Sequence, residues 1–480
     1  MNNKVFGNEI SEKVVKKALK KQKSYIKKFG DDRDKDYKLK VQDIESLNNI
    51  NLKNIVISDE GKDIDKEKAV IIGNIRMGFG HYRIAMAIAS AANSMGYTPY
   101  WFDLLSFKEA NSGKIISHLN DLYSLGSRLS QKSKLFNKFY WEKVTTDGFK
   151  SIEYNYTDQK MTELMTGVYN NLDKDIPYIA THVWNAQTAI HSGMKKVINV
   201  IPDNFPLGLH LAEGSIHTLQ TPSSYMGYRA LIDMSKKTRL KEIPSSDIKY
   251  TGHYVDHELV ENIEIDCEAR LKRIRNGENR RVLISIGGAG AQQELVENII
   301  RYMLEDIKNE KVALFINVGD HKNVWENIAK NIKGIEVLAK KYFNKYDELQ
   351  ELSDKLKTEE AKGLYVIYNE NIFEAVYATN ILMRDADIFI TKPSELSFYP
   401  VPKLLIERVG GHEAWGAIRS SEVGDGTIEC RNLDQTLQFL ELMLKENDLL
   451  ELMCDAIVKN KKIGIYNGAY EVVKLAVGEK

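Results

Sequence analysis

The sequence predicts an α/β protein made of two tandem Rossmann-like lobes behind a helical, charged N-terminal extension. Three observations lead there. From residue 68 onward, short apolar runs of buried-strand type alternate with helical periodicities, which is the pattern of a parallel sheet covered by helices on both faces. The order strand, glycine-rich turn, helix occurs twice, in KAVIIGNIRMGFGHYRIA and again in RRVLISIGGAGAQQELV, as expected of two similar lobes in tandem. The chain has 480 residues, enough for two large domains and an extension at roughly 150 residues per domain.

Residues 1–66 form the extension: Lys-rich, then the mixed-charge run GDDRDKDYK, then short Ile/Leu pieces without a clear period. Within it, residues 13–29 place Val15, Leu19, Ile26 and Phe29 near helical spacing with lysines between. Such a basic amphipathic helix either packs its stripe on the body or rests on anionic lipid. Residues 67–258 are assigned to the first lobe. KAVIIG is its first strand, the stretch from His81 closed by Gly96 a helix, and TPYWFDLL a second strand, with further strands at IPYIATH, KKVINVIP and IHTLQTP. The junction is expected near Tyr254–Glu264. Residues 259–430 are assigned to the second lobe, with strands at RRVLISI, KVALFINVG, GLYVIY, ADIFIT and KLLIE and helices that include the stretch near 343–360 and NIFEAVYATNILMRDA. Residues 431–480 are helical by pattern and are expected to brace the lobes.

Composition narrows the function. Apolar residues make up 43% and charged residues 28%, while Lys plus Arg and Asp plus Glu are 67 each. A chain of zero net charge has no overall field to gather nucleic acid, so any anionic partner must be held by a local site. Cys267, Cys430 and Cys454 are too few and too widely spaced for a disulfide framework or a CxxC metal site. No apolar run approaches the roughly 18 to 20 residues that span a bilayer, and the polar start has no signal-peptide core. These features imply a cytoplasmic protein, on the membrane's inner face if the basic helix binds lipid.

The chemistry-bearing residues cluster after strands. In GNIRMGFGHYRIA, Gly78 and Gly80 let the backbone approach a ligand, and His81 opens the following helix at the carboxyl edge of the sheet. An imidazole there can accept a proton from a hydroxyl nucleophile; the alternative is a helix-capping role. The second loop, Gly287, Gly288, Ala289, Gly290, Ala291 and Gln292, lacks the Lys and Ser/Thr of a P-loop and departs from GxGxxG. A small-residue turn before a helix still suits a diphosphate. His182, Asn185, Asp203 and His210 follow strands of the first lobe. Lys392, Ser394 and Glu395, then Gly411, His412 and Glu413, follow strands of the second, where a carboxylate can hold ribose hydroxyls and polar loops can read a sugar. No HxH or HExxH spacing supports a metal site.

At these residues the chain resembles the GT-B glycosyltransferases, in particular the group of monogalactosyldiacylglycerol synthases, processive diacylglycerol glucosyltransferases and the N-acetylglucosaminyltransferase of peptidoglycan precursor synthesis. GFGHYRIA is similar to the family's glycine-glycine-histidine loop, with Phe79 where a glycine is usual. THVWNAQTAI, VINVIPDNFPLGLH, HTLQTPSS and YTGHYV resemble the succession in the diacylglycerol branch. ISIGGAGAQ resembles the donor-diphosphate loop, ITKPSELSFYPVP the ribose-binding segment and VGGHEAWGA the loop at the donor sugar. The resemblance implies an inverting, metal-independent transfer without a cofactor, from a nucleotide sugar, UDP-linked, to an acceptor hydroxyl. The acceptor it implies is a lipid such as diacylglycerol, with His81 as base and Asp203 as its substitute. Donor contacts fall on Gly287–Gln292, Lys392, Ser394, Glu395, Gly411, His412 and Glu413, and acceptor-side contacts on Gly78, Gly80, His182, Asn185 and His210. The aromatic-rich KLFNKFYWEK (134–143) is a further candidate for a lipid interface. A nucleotide-sugar 2-epimerase and a non-catalytic nucleotide-sugar sensor stay open as other functions on the same scaffold.

Overall fold

Ala69–Asn74 is buried at every position, as a strand inside a parallel sheet with both faces covered must be. A computed structural model of the chain describes residues 3–76, 78–132, 148–236, 238–286 and 292–479. Gly287–Ala291 and the 134–143 stretch lie outside the described residues. The chain divides into two units, one of Met1–Met77, Ile84–Tyr254 and Gly468–Lys480, the other of Gly78–Arg83 and Val255–Asn467.

The first unit opens with a hairpin, β1 (Lys4–Val5) and β2 (Asn8–Glu9), then α1 (Glu12–Phe29), β3 (Leu39–Asp43) and β4 (Lys53–Ile57). It continues with β5 (Ala69–Asn74), α2 (Gly80–Ser94), β6 (Thr98–Asp103), α3 (Asn111–Lys132), α4 (Ile152–Thr162), β7 (Tyr178–Ala180) and α5 (Val183–His191). β8 (Val197–Val200), β9 (Ile216–Leu219), α6 (Pro222–Arg229) and β10 (Ile248–Tyr250) complete the run. Its sheet has the order β10-β9-β8-β7-β5-β6-β4-β3, with every pairing parallel except β3 against β4.

The extension is therefore part of this unit, since β3 and β4 widen its sheet. The sequence hides them because, at the edge strand and its neighbour, little apolar surface is covered: β3 buries only Val41 fully and β4 only Ile55. The helix α1 buries Val15, Ala18 and Tyr25, and Leu19, Ile26 and Phe29 pack partly buried against the same clusters. Gln22 fixes the helix to α4 and the turn after it, donating to the Lys160 carbonyl and to Glu163 at 2.7 Å each. The apolar stripe thus covers the body, and the lysines of the other face point outward. Among the described residues, no helix is long and apolar enough to cross a membrane.

At the centre of the sheet, Gly73 on β5 faces Tyr178 on β7. A Cβ at Gly73 would sit 2.1 Å from the Tyr178 hydroxyl. That hydroxyl is 2.8 Å from the Tyr169 hydroxyl and 3.3 Å from the Asn185 amide. A missing side chain on one strand is thus the space that a buried polar chain on the next occupies.

The second unit contains α7 (His257–Glu261), α8 (Ile263–Arg275), β11 (Arg280–Ser285), α9 (Gln293–Lys308), β12 (Val312–Asn317), α10 (Lys322–Asn331) and α11 (Ile335–Leu338). β13 (Ala339–Phe343), α12 (Tyr346–Leu356), β14 (Gly363–Tyr368), α13 (Ile372–Asp385), β15 (Ile388–Thr391) and β16 (Lys403–Leu405) follow. The helices α14 (Ala414–Val423), α15 (Leu433–Lys445) and α16 (Asp448–Lys462) end the unit. Its sheet is wholly parallel, in the order β13-β14-β12-β11-β15-β16. A last helix, α17 (Gly468–Val477), returns to the first unit. Its Gly468 amide donates to the His253 carbonyl at 2.9 Å, and a Cβ at Gly468 would stand 2.2 Å from the Gly252 carbonyl oxygen.

Candidate functional site

In the second unit, successive strands run outward from β11 through β12, and the chain then comes back to place β15 on the other side of β11. Strand order reverses between β11 and β15, and open α/β sheets bind ligands in the crevice beyond the carboxyl ends at such a point. A small cavity of about 20 Å³ lies there, lined by Ile284, Ser285 and Ile286 from the end of β11, Gln292 and Val296 from the start of α9, Ile390 and Lys392 from β15, and Ile406 after β16. Gln292 holds a left-handed backbone, φ 66°, and its amide donates to the Glu407 carbonyl, tying the turn into α9 to the end of β16. The sixteen-residue α9 presents its N-terminal amides and dipole at this edge.

Lys392 is ion-paired with Glu413. The Glu413 carboxylate also accepts from the Val409 and Gly410 amides at 2.7 and 3.1 Å, so it neutralises the lysine and pins the loop before α14. Burial pushes the Glu413 carboxyl up, but Lys392 and the two backbone donors outweigh it and hold the group below the usual carboxylate range. His412 is half-buried, its ring folded over Gly410, while Gly411 is exposed. Ser394 and Glu395 open the short helical turn Glu395–Phe398, both half-buried.

The segment Gly78–Arg83 groups with this unit. Phe79 packs edge-on against His321 at 5.8 Å and Tyr82 stacks on Phe373 at 6.0 Å. Arg83 is buried, donating to Asn380 at 2.8 Å, to the Thr379 hydroxyl at 3.2 Å and to the Val376 carbonyl at 3.3 Å, all on α13. These three side chains hold the first turn of α2, in which His81 is half-buried. A Cβ at Gly80 would lie 3.2 Å from a Glu395 carboxylate oxygen, so the glycine lets that carboxylate come up against the turn carrying His81. Gly78 is exposed with φ 91°.

Behind Arg83, its guanidinium lies 5.8 Å from the Tyr399 ring, and the Tyr399 hydroxyl donates to Asp256 at 3.0 Å. Burial, then the nearby Glu258, pushes the Asp256 carboxyl up to about 7, with Arg83 and the Tyr399 hydrogen bond opposing. Sequence reasoning missed Arg83, Asp256 and Tyr399. The signal for Arg83 was present: a charge inside the apolar helical run HYRIAMAIASAA must find buried partners.

The first unit has its own reversal, between β5 and β7. His182 caps α5, its Nδ1 accepting from the Trp184 amide at 3.1 Å, which leaves Nε2 to carry the proton in the neutral ring. Asn185 is fully buried, and its amide donates to the Asn74 carbonyl at 3.2 Å and the Tyr178 hydroxyl at 3.3 Å. After β8, His210 is buried with Nδ1 2.7 Å from the Tyr228 hydroxyl, and its Nε2 is 3.4 Å from Asp203. Asp203 keeps 34% of its side chain exposed, so the carboxylate is the accessible end of an Asp203–His210–Tyr228 chain. Among the described residues, no three His, Cys, Asp or Glu side chains gather as a metal-ligand set.

Residues 4–230 match the family model described as Domain of unknown function (DUF6937), and residues 243–477 match Domain of unknown function (DUF6938). No curated protein matches the sequence. Among solved structures, the chain is similar to a UDP-GlcNAc 2-epimerase from Neisseria meningitidis bound to UDP-GlcNAc, at 12% identity and TM-score 0.42, over 86% of this chain and 100% of that one. An α,α-trehalose-phosphate synthase (UDP-forming) from Burkholderia vietnamiensis is similar at 10% identity and TM-score 0.42, over 86% and 100%. A spinosyn rhamnosyltransferase complexed with thymidine diphosphate is similar at 10% identity and TM-score 0.34, over 84% and 99%.

Proposed function

We propose that the chain is a GT-B-type glycosyltransferase that moves a sugar from a nucleotide sugar, UDP-linked, to an acceptor hydroxyl. The observation that carries this reading is the convergence, at the β11/β15 reversal, of the α9 N-terminus, Gln292 and the Lys392–Glu413 pair. A diphosphate there would meet helix amides and a lysine already positioned by a carboxylate. Glu395 would accept the ribose hydroxyls, and His412 with the Gly410–Gly411 loop would touch the sugar.

In the proposed reaction the acceptor oxygen bonds to the anomeric carbon as the bond from that carbon to the diphosphate breaks, inverting the centre. The acceptor proton passes to His81, whose turn is fixed by Phe79, Tyr82 and Arg83. Asp203 is the alternative base. Developing charge on the departing diphosphate falls on the α9 dipole and Lys392, which suits a transfer without metal or cofactor.

The acceptor tested first is a lipid such as diacylglycerol. With its apolar stripe turned inward, α1 would meet a membrane only through the outward lysines, including Lys13, Lys16, Lys17 and Lys20, a charge attraction that salt removes. The test is nucleotide release from UDP-, GDP- and TDP-sugars, with and without diacylglycerol liposomes, alongside NMR of the sugar product. Release that needs one donor and the lipid supports the full reading. A new glycoside with another hydroxyl keeps the transferase and discards the lipid. Stereochemical inversion of the free donor's sugar without any acceptor would replace the proposal with an epimerase, and binding without turnover with a sensor.

A further inference from the structure

Two of the three cysteines share a microenvironment that the proposed transfer does not use. Cys267 on α8 and Cys454 on α16 are buried, and the two helices pack together. Arg270, one turn along α8, is only 2% exposed. Its Nε and Nη2 each donate at 2.6 Å to backbone carbonyls at the end of α13, of Ala386 and Met383, and its Nη1 stands 3.8 Å from Cys267 Sγ. The guanidinium is thus locked by neutral acceptors with one nitrogen turned to the sulfur, an arrangement that favours thiolate at Cys267. The neighbouring Cys454 draws the Cys267 thiol down; burial opposes, and the Arg270 charge adds to the lowering. Cys454 is held as the thiol partner, raised by its neighbour Cys267 and by burial. Both sulfur-bearing residues line a cleft of about 620 Å³, together with Leu271 and Val458, which gives a small oxidant a route to otherwise buried groups.

We infer that Cys267 and Cys454 form a redox-active dithiol, which a hydroperoxide entering this cleft closes to a disulfide joining α8 to α16. The Cys267 thiolate attacks the distal oxygen of the hydroperoxide; the O–O bond breaks, and the alkoxide or hydroxide released takes a proton, leaving a sulfenic acid. The Cys454 sulfur then attacks Cys267 Sγ, and the S–O bond breaks as the oxygen departs with the Cys454 proton as water. The peroxide gains two electrons and the two thiols lose them. Cys430 is the internal control, because burial pushes its thiol up to about 11 and its Sγ–H donates to the Ile428 carbonyl at 3.8 Å.

The test exposes the reduced full chain to hydrogen peroxide at neutral pH. Remaining thiols are blocked with N-ethylmaleimide under denaturing conditions, and peptides are mapped by mass spectrometry. The expected result is loss of two hydrogens, a single Cys267–Cys454 linked peptide and an alkylated Cys430. Cys267 should be consumed at least about tenfold faster than Cys430, as their difference in thiolate character, partly offset by nucleophilicity, dictates. In Cys454→Ser the link is lost and a dimedone adduct appears on Cys267. Wild-type protein in which both cysteines stay alkylatable, or in which Cys267 passes to sulfinic acid without a link, overturns the proposal, even if the serine variant fails to fold.

Discussion

The two sheets each have a reversal of strand order, but their carboxyl edges differ in character. In the first unit the polar groups after the strands are largely spent on the protein itself: His182 caps a helix, Asn185 holds a neighbouring strand end, and His210 answers Tyr228. Asp203, paired with His210, keeps about a third of its side chain exposed. In the second unit the edge is charged and half-open, with Lys392, Ser394, Glu395 and His412 all partly exposed. A polar residue at a strand's carboxyl end is therefore not yet a ligand contact; what remains after internal hydrogen bonds are satisfied decides that.

The comparison breaks most decisively at the proposed base. His81→Ala is expected to lower nucleotide release by roughly two to four orders of magnitude, the usual worth of a general base, with a thermal midpoint near wild type because the ring is half-buried. Should Asp203→Asn give the larger loss, the partly exposed carboxylate of the first edge takes over that role. Next in size is donor affinity. Lys392→Met is expected to weaken UDP binding by roughly 10- to 100-fold in calorimetry, the worth of a charge-assisted hydrogen bond, whereas His182→Gln should leave it unchanged. Equal losses in both variants would mean the two edges do not differ as described.

Stability changes come third. Gly73→Ala is expected to cost about 1–3 kcal/mol through overpacking against Tyr178, read as a fall in urea midpoint with unchanged slope. Asp256 carries a proton in the folded state at pH values where the unfolded chain has released it. Its contribution is therefore most favourable below about pH 4 and is lost as pH rises toward about 7. Asp256→Asn should then raise the thermal midpoint at pH 8, with the gain disappearing by pH 4. A gain that is constant with pH would show that Asp256 stays ionised. The smallest effect expected is salt-sensitive flotation with anionic vesicles, at about 1 kcal/mol per lysine near the surface. Binding that resists high salt would mean an apolar contact beyond α1.

Much of the architecture was legible because buried parallel strands announce themselves as apolar runs: AVIIGN, VALFIN and LYVIY each lie where the sequence puts a strand. The marginal strands β3 and β4 were not, since LKVQD and KNIVI bury one residue each and read as short pieces without a period. Glycines and polar residues after strands mark the loops of the candidate site as positions and residue types in the sequence. Which of those side chains would be consumed internally was not, since the Trp184 amide beside His182, or Tyr228 beside His210, is supplied by the fold rather than by spacing. Arg83 shows the reverse case, a charge whose burial could be inferred but whose partners on α13 lie far along the chain.

The return of α17 has a consequence for biosynthesis. Gly468–Val477 belongs to the first unit, yet the ribosome delivers it only after the whole of the second. Vectorial folding usually finishes an N-terminal domain before the next emerges. Here that domain must wait, incomplete, for its last helix, and nascent chains stalled anywhere before Gly468 should be far more sensitive to protease in residues 69–254 than the released protein is.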